Sequence, residues 1–551
     1  KSSAQERQEG RAAYLLLKRK VTPPVDTLSG AACSQKRMTP EDVAIMELNF
    51  TTMLSTPLQL SFKGQVPDYI DRTLRFAAGK GEHFSQWQLD QKALIEKWHT
   101  ELQVEQKTHE KEVLRVDPAL GPINTRIQLP LMLKLMSKMG MSPQTRHFVK
   151  TGFTSGFRYA EEVPLTGLYN RMPEGKELGK FERKELSKLQ RPKRTDNSEG
   201  TPVTNLRTPD EFTTEIYQAT QDELTIDPTG QKTLPFSAYL GPYLTLEELP
   251  EHLYHPAFRF WVVQDTTHGA DPGRVVDDLT ASGTNGRTPI REKLTLPTLD
   301  DFVEVVKSIE TLFPGKPLNF WKQDFLKAFR QIPGDRHSRR FGSFGIKNPT
   351  TGKLEFLTHL GLPFGARASP ILFCGVALSI CQLCAFHLGV PVLAFVDDFF
   401  SASPTHQAQQ NFDLFKWFVK LLGFSLKERK ETPPTTQEDL LGVRVVLLPR
   451  GGGYFTLPQS KREKYSTRVR AILKANFISP GEAARLAGGL SFASSVALAK
   501  VAAVGRRISS SSSLVCQWPW EFYCTTGGCG ESDVHVEPVS YTHLTLPTNR
   551  E

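Results

Sequence analysis

The chain of 551 residues has only seven cysteines, scattered and odd in number. That excludes the dense disulfide framework of a small secreted domain and points to a reducing compartment. Cys374, Cys381 and Cys384 fall at i, i+7 and i+10, one stripe of an apolar helix, so they read as core thiols and not as a zinc site. The sequence also lacks a run of eighteen apolar residues, and its polar start, KSSAQERQEG, is no signal peptide. The expectation is an intracellular protein, cytoplasmic or nuclear, not secreted and with no membrane partner. The first residue is Lys1 and not Met, as in a fragment.

Apolar material and positive charge are plentiful. With 39% hydrophobic and 10% aromatic residues the chain can build the cores of several domains. Lys and Arg number 68 against 59 Asp and Glu, a net charge of +9, which suggests a polyanionic partner. The surplus is concentrated. Between Gln459 and Arg507, ten cations (Lys461, Arg462, Lys464, Arg468, Arg470, Lys474, Arg485, Lys500, Arg506, Arg507) meet two acids (Glu463, Glu482), a local balance of +8.

Along the chain, residues 1–40 are polar and irregular and are expected to be disordered. Residues 41–146 show helical periodicity without recognisable chemistry. A charged, Pro-containing stretch over 172–208 reads as an exposed linker. From Phe258 onward short apolar runs alternate with helical ones, the pattern of an α/β (α+β) domain. RFWVVQ, RVVDDL, LNFWKQDF, PVLAFVDD and LLGVRVVLL are the expected strands. FVEVVKSIETLF, PILFCGVALSICQLCAFHL and HQAQQNFDLFKWFVKLLGF are the expected helices. Two more helical patterns, YSTRVRAILKAN and SPGEAARLAGGLSFASSVALAKVAAVGRR, are separated by a helix-start signal at Ser479-Pro480-Gly481-Glu482. Residues 509–551 form an unreliable tail, and its end, VSYTHLTLPTNRE (539–551), reads as translated sequencing adapter.

Three pairs of adjacent aspartates occur: Asp277 with Asp278, Asp300 with Asp301, and Asp397 with Asp398. Only the third follows a wholly apolar strand, VPVLAF, and is followed at once by Phe399 and Phe400. This reads as a hairpin with both acids at its tip. Burying such charges without compensation costs several kcal/mol each, and a cation is the natural compensation. Upstream, Asp324 in LNFWKQDFLKAFRQIP ends another apolar run. One carboxylate there and one or two on the hairpin suit two Mg²⁺ ions roughly 3.5–4 Å apart, which would drive in-line attack of a 3′ hydroxyl on an α-phosphate.

These residues resemble the palm of reverse transcriptases. QDFLKAFRQIP is similar to that family's first acidic motif, LPFGARASPILF to its LPFGxxxSP motif, and FVDD to its YxDD box. GFSLKERKETPPTTQEDLLGV is similar to its next, lysine-bearing and Leu-Gly motifs. RFWVVQ and GRVVDDLTASGTN resemble the fingers strands of LTR-type and DIRS-like retroelements. The resemblance implies a right-hand polymerase: fingers and palm over 147–455, with an antiparallel palm sheet plus helices, and a helical thumb over 456–508.

The same resemblance implies residue roles. Asp324, Asp397 and Asp398 would be the catalytic metal ligands, for two Mg²⁺ ions with Mn²⁺ as a substitute. Arg274 would clamp the triphosphate. Phe329 would exclude a 2′ hydroxyl and so select dNTPs. Phe364 and Gly365 would line the nucleotide site, and Lys430 would be a general acid to the departing pyrophosphate. Lys461, Arg468, Lys474 and Arg485 would contact phosphates independently of sequence. The implied partners are an RNA or DNA template with its primer, and dNTPs. Phe395 departs from the family pattern by standing where tyrosine is usual. Two other readings stay open: a degenerate retroelement remnant that only binds nucleic acid, and an RNA-dependent RNA polymerase, which Phe329 disfavours.

Overall fold

The computed structural model describes residues 64–173, 212–225, 240, 256–263, 273–475 and 478–496, with the backbone of Thr56 and Pro57 in addition. The stretches expected to be a disordered start (1–40) and an unreliable tail (509–551) lie outside these residues, as does all but the first two residues of the expected linker (172–208).

Residues 68–155 form the expected helical region: α1 (Asp68–Lys80), α2 (Phe84–Glu101), α3 (Gln103–Val116), α4 (Leu129–Met139) and α5 (Pro143–Ser155). The boundary expected at residue 147 falls inside α5. That helix starts where local chemistry starts it: Ser142 Oγ accepts the Thr145 N–H at 3.1 Å, and Pro143 occupies the first helical position.

The next elements are α6 (Thr213–Thr225), β1 (Ala257–Val263), β2 (Gly273–Asp277), α7 (Leu299–Leu312), β3 (Leu318–Asp324), α8 (Arg336–Phe341), β4 (Phe344–Lys347) and β5 (Leu354–Leu357). They are followed by α9 (Ser369–Leu388), β6 (Leu393–Phe395), β7 (Asp398–Pro404), α10 (Thr405–Leu421), β8 (Thr432–Thr435), β9 (Gln437–Leu440), β10 (Val443–Leu447) and β11 (Gly453–Thr456).

Helix α9 is apolar on every side and is accordingly a core helix. It is long and apolar enough to cross a membrane by composition, yet most of it is buried within the fold. Cys374, Cys381 and Cys384 are buried along it as free thiols. The N-terminal helices cover it. Tyr69 Oη donates to Val392 O at 2.7 Å, and Gln88 Nε2 donates to Leu388 O at 2.8 Å and to Asn411 Oδ1 at 2.9 Å.

The central sheet has the order β8-β3-β7-β6, all antiparallel. Period-two alternation sends Trp321, Gln323 and Phe399 to one face and Phe320, Phe400, Asp324 and Asp398 to the other. On the first face, Trp321 packs on Phe412 and Phe415 of α10, and Phe399 packs on Phe415. On the second, Phe302 of α7 covers Phe320 and Phe400, each at 5.8 Å. Helix α7 thus seals the apolar end of that face.

A second sheet has the order β2-β1-β4-β5, with β1 and β4 parallel. A third joins β9, β10, β11 and Thr56–Pro57. The run LLGVRVVLL is not one strand. Leu441 (φ +47°) and Gly442 (φ +84°) take the left-handed conformations of a tight hairpin turn, so β9 ends at Leu440 and β10 starts at Val443.

The chain divides into two compact units, and everything described up to Arg462 belongs to one of them. The other holds the described residues from Glu463 to Ser494, made of α11 (Gln459–Ala475) beyond its first turn and α12 (Pro480–Val496). The expected start signal works as a capping box: Glu482 N–H donates to Ser479 Oγ, and Ser479 N–H to Glu482 Oε2, both at 3.3 Å. Gly489 permits a close approach between the two helices, since a Cβ there would lie 2.8 Å from the Tyr465 ring. Gly488 faces open space.

Candidate active site

Asp324 and Asp398 are direct cross-strand partners, at the end of β3 and the start of β7. Facing residues of an antiparallel pair lie on one side of the sheet, so backbone register alone brings these carboxylates together. Asp397 sits in the two-residue turn between β6 and β7, beside Val396 at φ +56°. A β-branched residue in that conformation is strained, and here the surrounding pairing holds it: Phe399 faces Ala394, and the Phe325 N–H donates to Asp397 O at 3.2 Å. The expected hairpin is present, with one acid in its turn and the other opening its second strand.

Under the acids lies an aromatic bed. Phe325 stacks on Phe399 at 4.6 Å and on Phe424 at 5.7 Å, and meets Phe373 edge-on. Burial there, a hydrogen bond with Asp324 and the nearby Asp324 and Asp397 charges push Asp398 up to about 8. Asp397 is raised as well. Burial is the main cause, partly offset by its own N–H and by Arg274 and Lys430. The site therefore carries more negative charge than its own cations neutralise.

Lys430 is positioned through the backbone. Lys427 N–H donates to Asp324 O at 2.7 Å, and the helical turn Glu428–Lys430 then carries Lys430 Nζ to 3.5 Å from Asp324 Oδ2. Arg274 is exposed on β2 and acts electrostatically on Asp397. The 3₁₀ turn Ala328–Gln331 places Phe329 5.2 Å from Phe364 and 5.5 Å from Phe373. Gly365 has φ +99°, and a Cβ there would lie 2.2 Å from Asp277 O. Its carbonyl accepts from Asn285 Nδ2 at 2.9 Å, a contact that the sequence did not flag although GTN was part of the motif region.

The structure thus gathers Asp324, Asp397, Asp398 and Lys430, and stacks Phe329 against Phe364 beside Gly365. Of the expected nucleic-acid contacts, Lys461 lies in the first unit and donates to Gly442 O at 2.8 Å. Arg468, Lys474 and Arg485 lie on the helix pair of the second unit, Lys474 and Arg485 exposed.

Sequence reasoning missed a buried ionic network behind the Phe329–Phe364 stack. Arg259 Nε donates to Asp277 Oδ1 at 2.8 Å, its Nη1 to Thr220 Oγ1 at 2.9 Å, and its Nη2 lies 3.2 Å from Glu223. Arg330 donates to both Glu223 oxygens, at 3.2 and 3.0 Å, and its Nη1 lies 2.6 Å from His359 Nδ1. His359 Nε2 lies 3.1 Å from Asp277 Oδ2. Burial alone would raise Glu223, but Arg330 and Arg259 outweigh it and hold it at about 2. Burial pushes His359 down to about 4, against the opposing pull of Asp277. The other two acid pairs also have structural duties. Asp278 accepts from the Ala281 N–H at 2.8 Å, and Asp301 closes a capping box with Thr298 at the start of α7.

Among the described residues no three histidine, cysteine, aspartate or glutamate side chains already converge as a metal site. The donors present nonetheless fit Mg²⁺. They are hard carboxylate oxygens, and burial and the two neighbouring acids raise Asp398 to about 8, so added positive charge is favoured beside the Asp324–Asp398 pair. Mg²⁺ commonly takes one or two carboxylates and fills its other positions with water and substrate phosphates.

Residues 306–445, which include all four of these acidic and basic groups, match the family model described as Reverse transcriptase (RNA-dependent DNA polymerase). This part of the chain is a reverse transcriptase domain. Among solved structures, the chain is similar to the foamy viral protease-reverse transcriptase in complex with an RNA/DNA hybrid (16% identity, 57% of this chain and 36% of that one, TM-score 0.38). It is also similar to that protein in complex with dsDNA (14% identity, 66% and 61%, TM-score 0.36). A third similar structure is that of the foamy viral protease-reverse transcriptase dRH in complex with ds DNA (16% identity, 43% of this chain and 36% of that one, TM-score 0.33). The chain therefore spans between about a third and three fifths of these proteins. No curated protein matches it.

Proposed function

We propose that the chain is an RNA-directed DNA polymerase that adds dNTPs to a primer 3′ hydroxyl under the direction of a template. The observation that carries this reading is the register of β3 and β7, which sets Asp324 opposite Asp398 with Asp397 in the adjoining turn. Asp324, Asp397 and Asp398 would hold two Mg²⁺ ions. When bound, these supply Lewis acidity to the attacking hydroxyl and charge neutralisation to the leaving pyrophosphate. Lys430, beside Asp324, is placed to donate a proton to that leaving group. Arg274 grips the triphosphate, Phe364 packs on the incoming base, and Phe329 fills the space a 2′ hydroxyl would need.

In this reading the central sheet is the palm, the sheet containing β1 and β2 belongs to the fingers, and the α11–α12 pair is the thumb, whose Arg468, Lys474 and Arg485 track phosphates. The protein would act inside the cell as part of a retrotransposon polyprotein of LTR-type or DIRS-like kind. The test is extension of a DNA primer on an RNA template with dNTPs and Mg²⁺. The chain is expected to extend it and the Asp397→Asn variant to be inactive while still folded. A folded wild-type chain that extends no primer on any template, yet binds nucleic acid, would favour the catalytically degenerate remnant.

A further inference from the structure

The N-terminal helices carry none of the site's carboxylates, yet one stretch between α3 and α4 is bonded to the segments that do carry the chemistry. Buried Gln106 of α3 donates through Nε2 to the carbonyls of Thr125 and Ile127, at 3.1 Å each, and so fixes the backbone on both sides of Arg126. The stretch is seated against the end of α10. Gln128 N–H donates to Leu422 O at 3.1 Å, and at Gly423, with φ +95°, a Cβ would lie 2.1 Å from Arg126 O. Only glycine admits so close an approach in that conformation.

The Arg126 guanidinium is steadied by Nε, which donates to Ile123 O at 3.2 Å, and its two other nitrogens reach two different segments. Nη1 donates to Ser425 Oγ at 3.3 Å and Nη2 to Gln331 Oε1 at 3.4 Å. Fully buried Gln331 joins the same segments. Its Oε1 also accepts the Ser425 N–H at 2.8 Å, and its Nε2 donates to Leu326 O at 2.6 Å and to Ser425 O at 2.9 Å. A charged donor on the amide oxygen polarises that amide and strengthens the bonds its NH₂ group makes. Leu326 N–H donates to Ser425 O at 3.0 Å, and two residues along each segment Lys427 N–H donates to Asp324 O at 2.7 Å. The turn Glu428–Lys430 then sets Lys430 Nζ 3.5 Å from Asp324 Oδ2. A continuous set of hydrogen bonds therefore links Arg126 to the backbone on which Asp324 and Lys430 meet.

We propose that Arg126 is a positioning residue for Lys430, holding residues 425–430 in register with Asp324, and that the N-terminal helices are thereby a working part of the site. The kinetic consequence rests on the polymerase reading, in which Lys430 protonates the leaving pyrophosphate. The register itself does not.

Two measurements on the full chain test this. In hydrogen exchange, Arg126→Ala should speed the Leu326, Ser425 and Lys427 amides by about tenfold, as expected for the loss of one charge-assisted bond, and leave the amides of α9 unchanged. In primer extension the same variant should lower kcat by about 10–100-fold at constant KM, the usual cost of a slightly misplaced catalytic group. A double-mutant cycle separates positioning from general support: Arg126→Ala should cost almost nothing further in a Lys430→Ala background. If Arg126→Ala does not fold, Arg126→Lys, which replaces the fork by a point charge, should show the same changes in smaller degree. Unchanged exchange at the three amides would overturn the proposal, and so would additive losses in the cycle. A folded wild-type chain that extends no primer would defeat the polymerase reading, while the exchange measurement would still decide whether Arg126 holds the register.

Discussion

The sharpest prediction concerns His359, which is fully buried and surrounded by Asp277, Arg330, Arg259 and Glu223. Its folded pKa is about 4, while an unfolded histidine titrates near 6.5. Between these values the unfolded chain binds a proton that the folded chain refuses, so this stability contribution is present above about pH 6.5 and is lost as pH falls toward 4. At pH 5 the gap to 6.5 is about 1.5 units, and at about 1.36 kcal/mol per unit the loss from pH 7 is about 2 kcal/mol. Other groups titrate in the same window: Asp398 acts with the opposite sign, His109 and His387 with the same one. The measurement is therefore a double difference: urea unfolding at pH 7 and pH 5, for wild type and for His359→Gln, which cannot titrate. Wild type should lose about 2 kcal/mol more than the variant. Equal losses would refute the reasoning, and an NMR titration giving His359 an ordinary pKa in the folded protein would locate the error.

Three further outcomes are expected. Without metal, Asp398→Asn should stabilise the fold at pH 9, because the raised folded pKa costs stability as pH climbs through about 8; a gain of roughly 1–3 kcal/mol in urea unfolding is the expectation, with primer extension abolished. Mg²⁺ should raise the melting temperature of wild type more than that of this variant, and equal shifts would count against the site. Phe329→Val should narrow the preference for dNTPs over rNTPs by about 10–100-fold, the worth of a steric contact of about 1–3 kcal/mol, as read in single-nucleotide incorporation kinetics. Gly365→Ala should raise the KM for dNTPs and lower stability, since the Cβ would meet Asp277 O at 2.2 Å in a left-handed backbone; unchanged kinetics would show that the loop relaxes freely.

The sequence made the local elements legible where one pattern decided them. The fully apolar run of α9 and the capping box at Ser479 were readable from residue order. The hairpin at Asp397 was readable because an apolar strand stops at two charges and resumes. What could not be read was partnership across distance. LLGVRVVLL looked like one strand because nothing local announces that Leu441 will take a positive φ. The boundary at residue 147 was drawn on similarity, while Ser142 and Pro143 had already begun a helix through it. The Arg259–Asp277–His359–Arg330–Glu223 network spans residues 223 to 359, and no sequence period links such positions.

The two kinds of buried acid explain why adjacent aspartates alone say little about chemistry. Asp277 is fully buried, but Arg259 meets it through two nitrogens and His359 lies beside it, so its charge is matched inside the fold. Removing one partner there leaves a bare buried charge, a loss of about 3–5 kcal/mol, while nothing further is gained by binding a cation. Asp398 has the reverse economy of charge. Its cross-strand partner is another acid, Asp397 adjoins it, and the nearby cations do not prevent it from holding a proton to about pH 8. A group so placed is stabilised by whatever brings positive charge to the open end of the sheet. The uncompensated buried acid, and not the one matched by partners, is where ligand binding can be coupled to the fold.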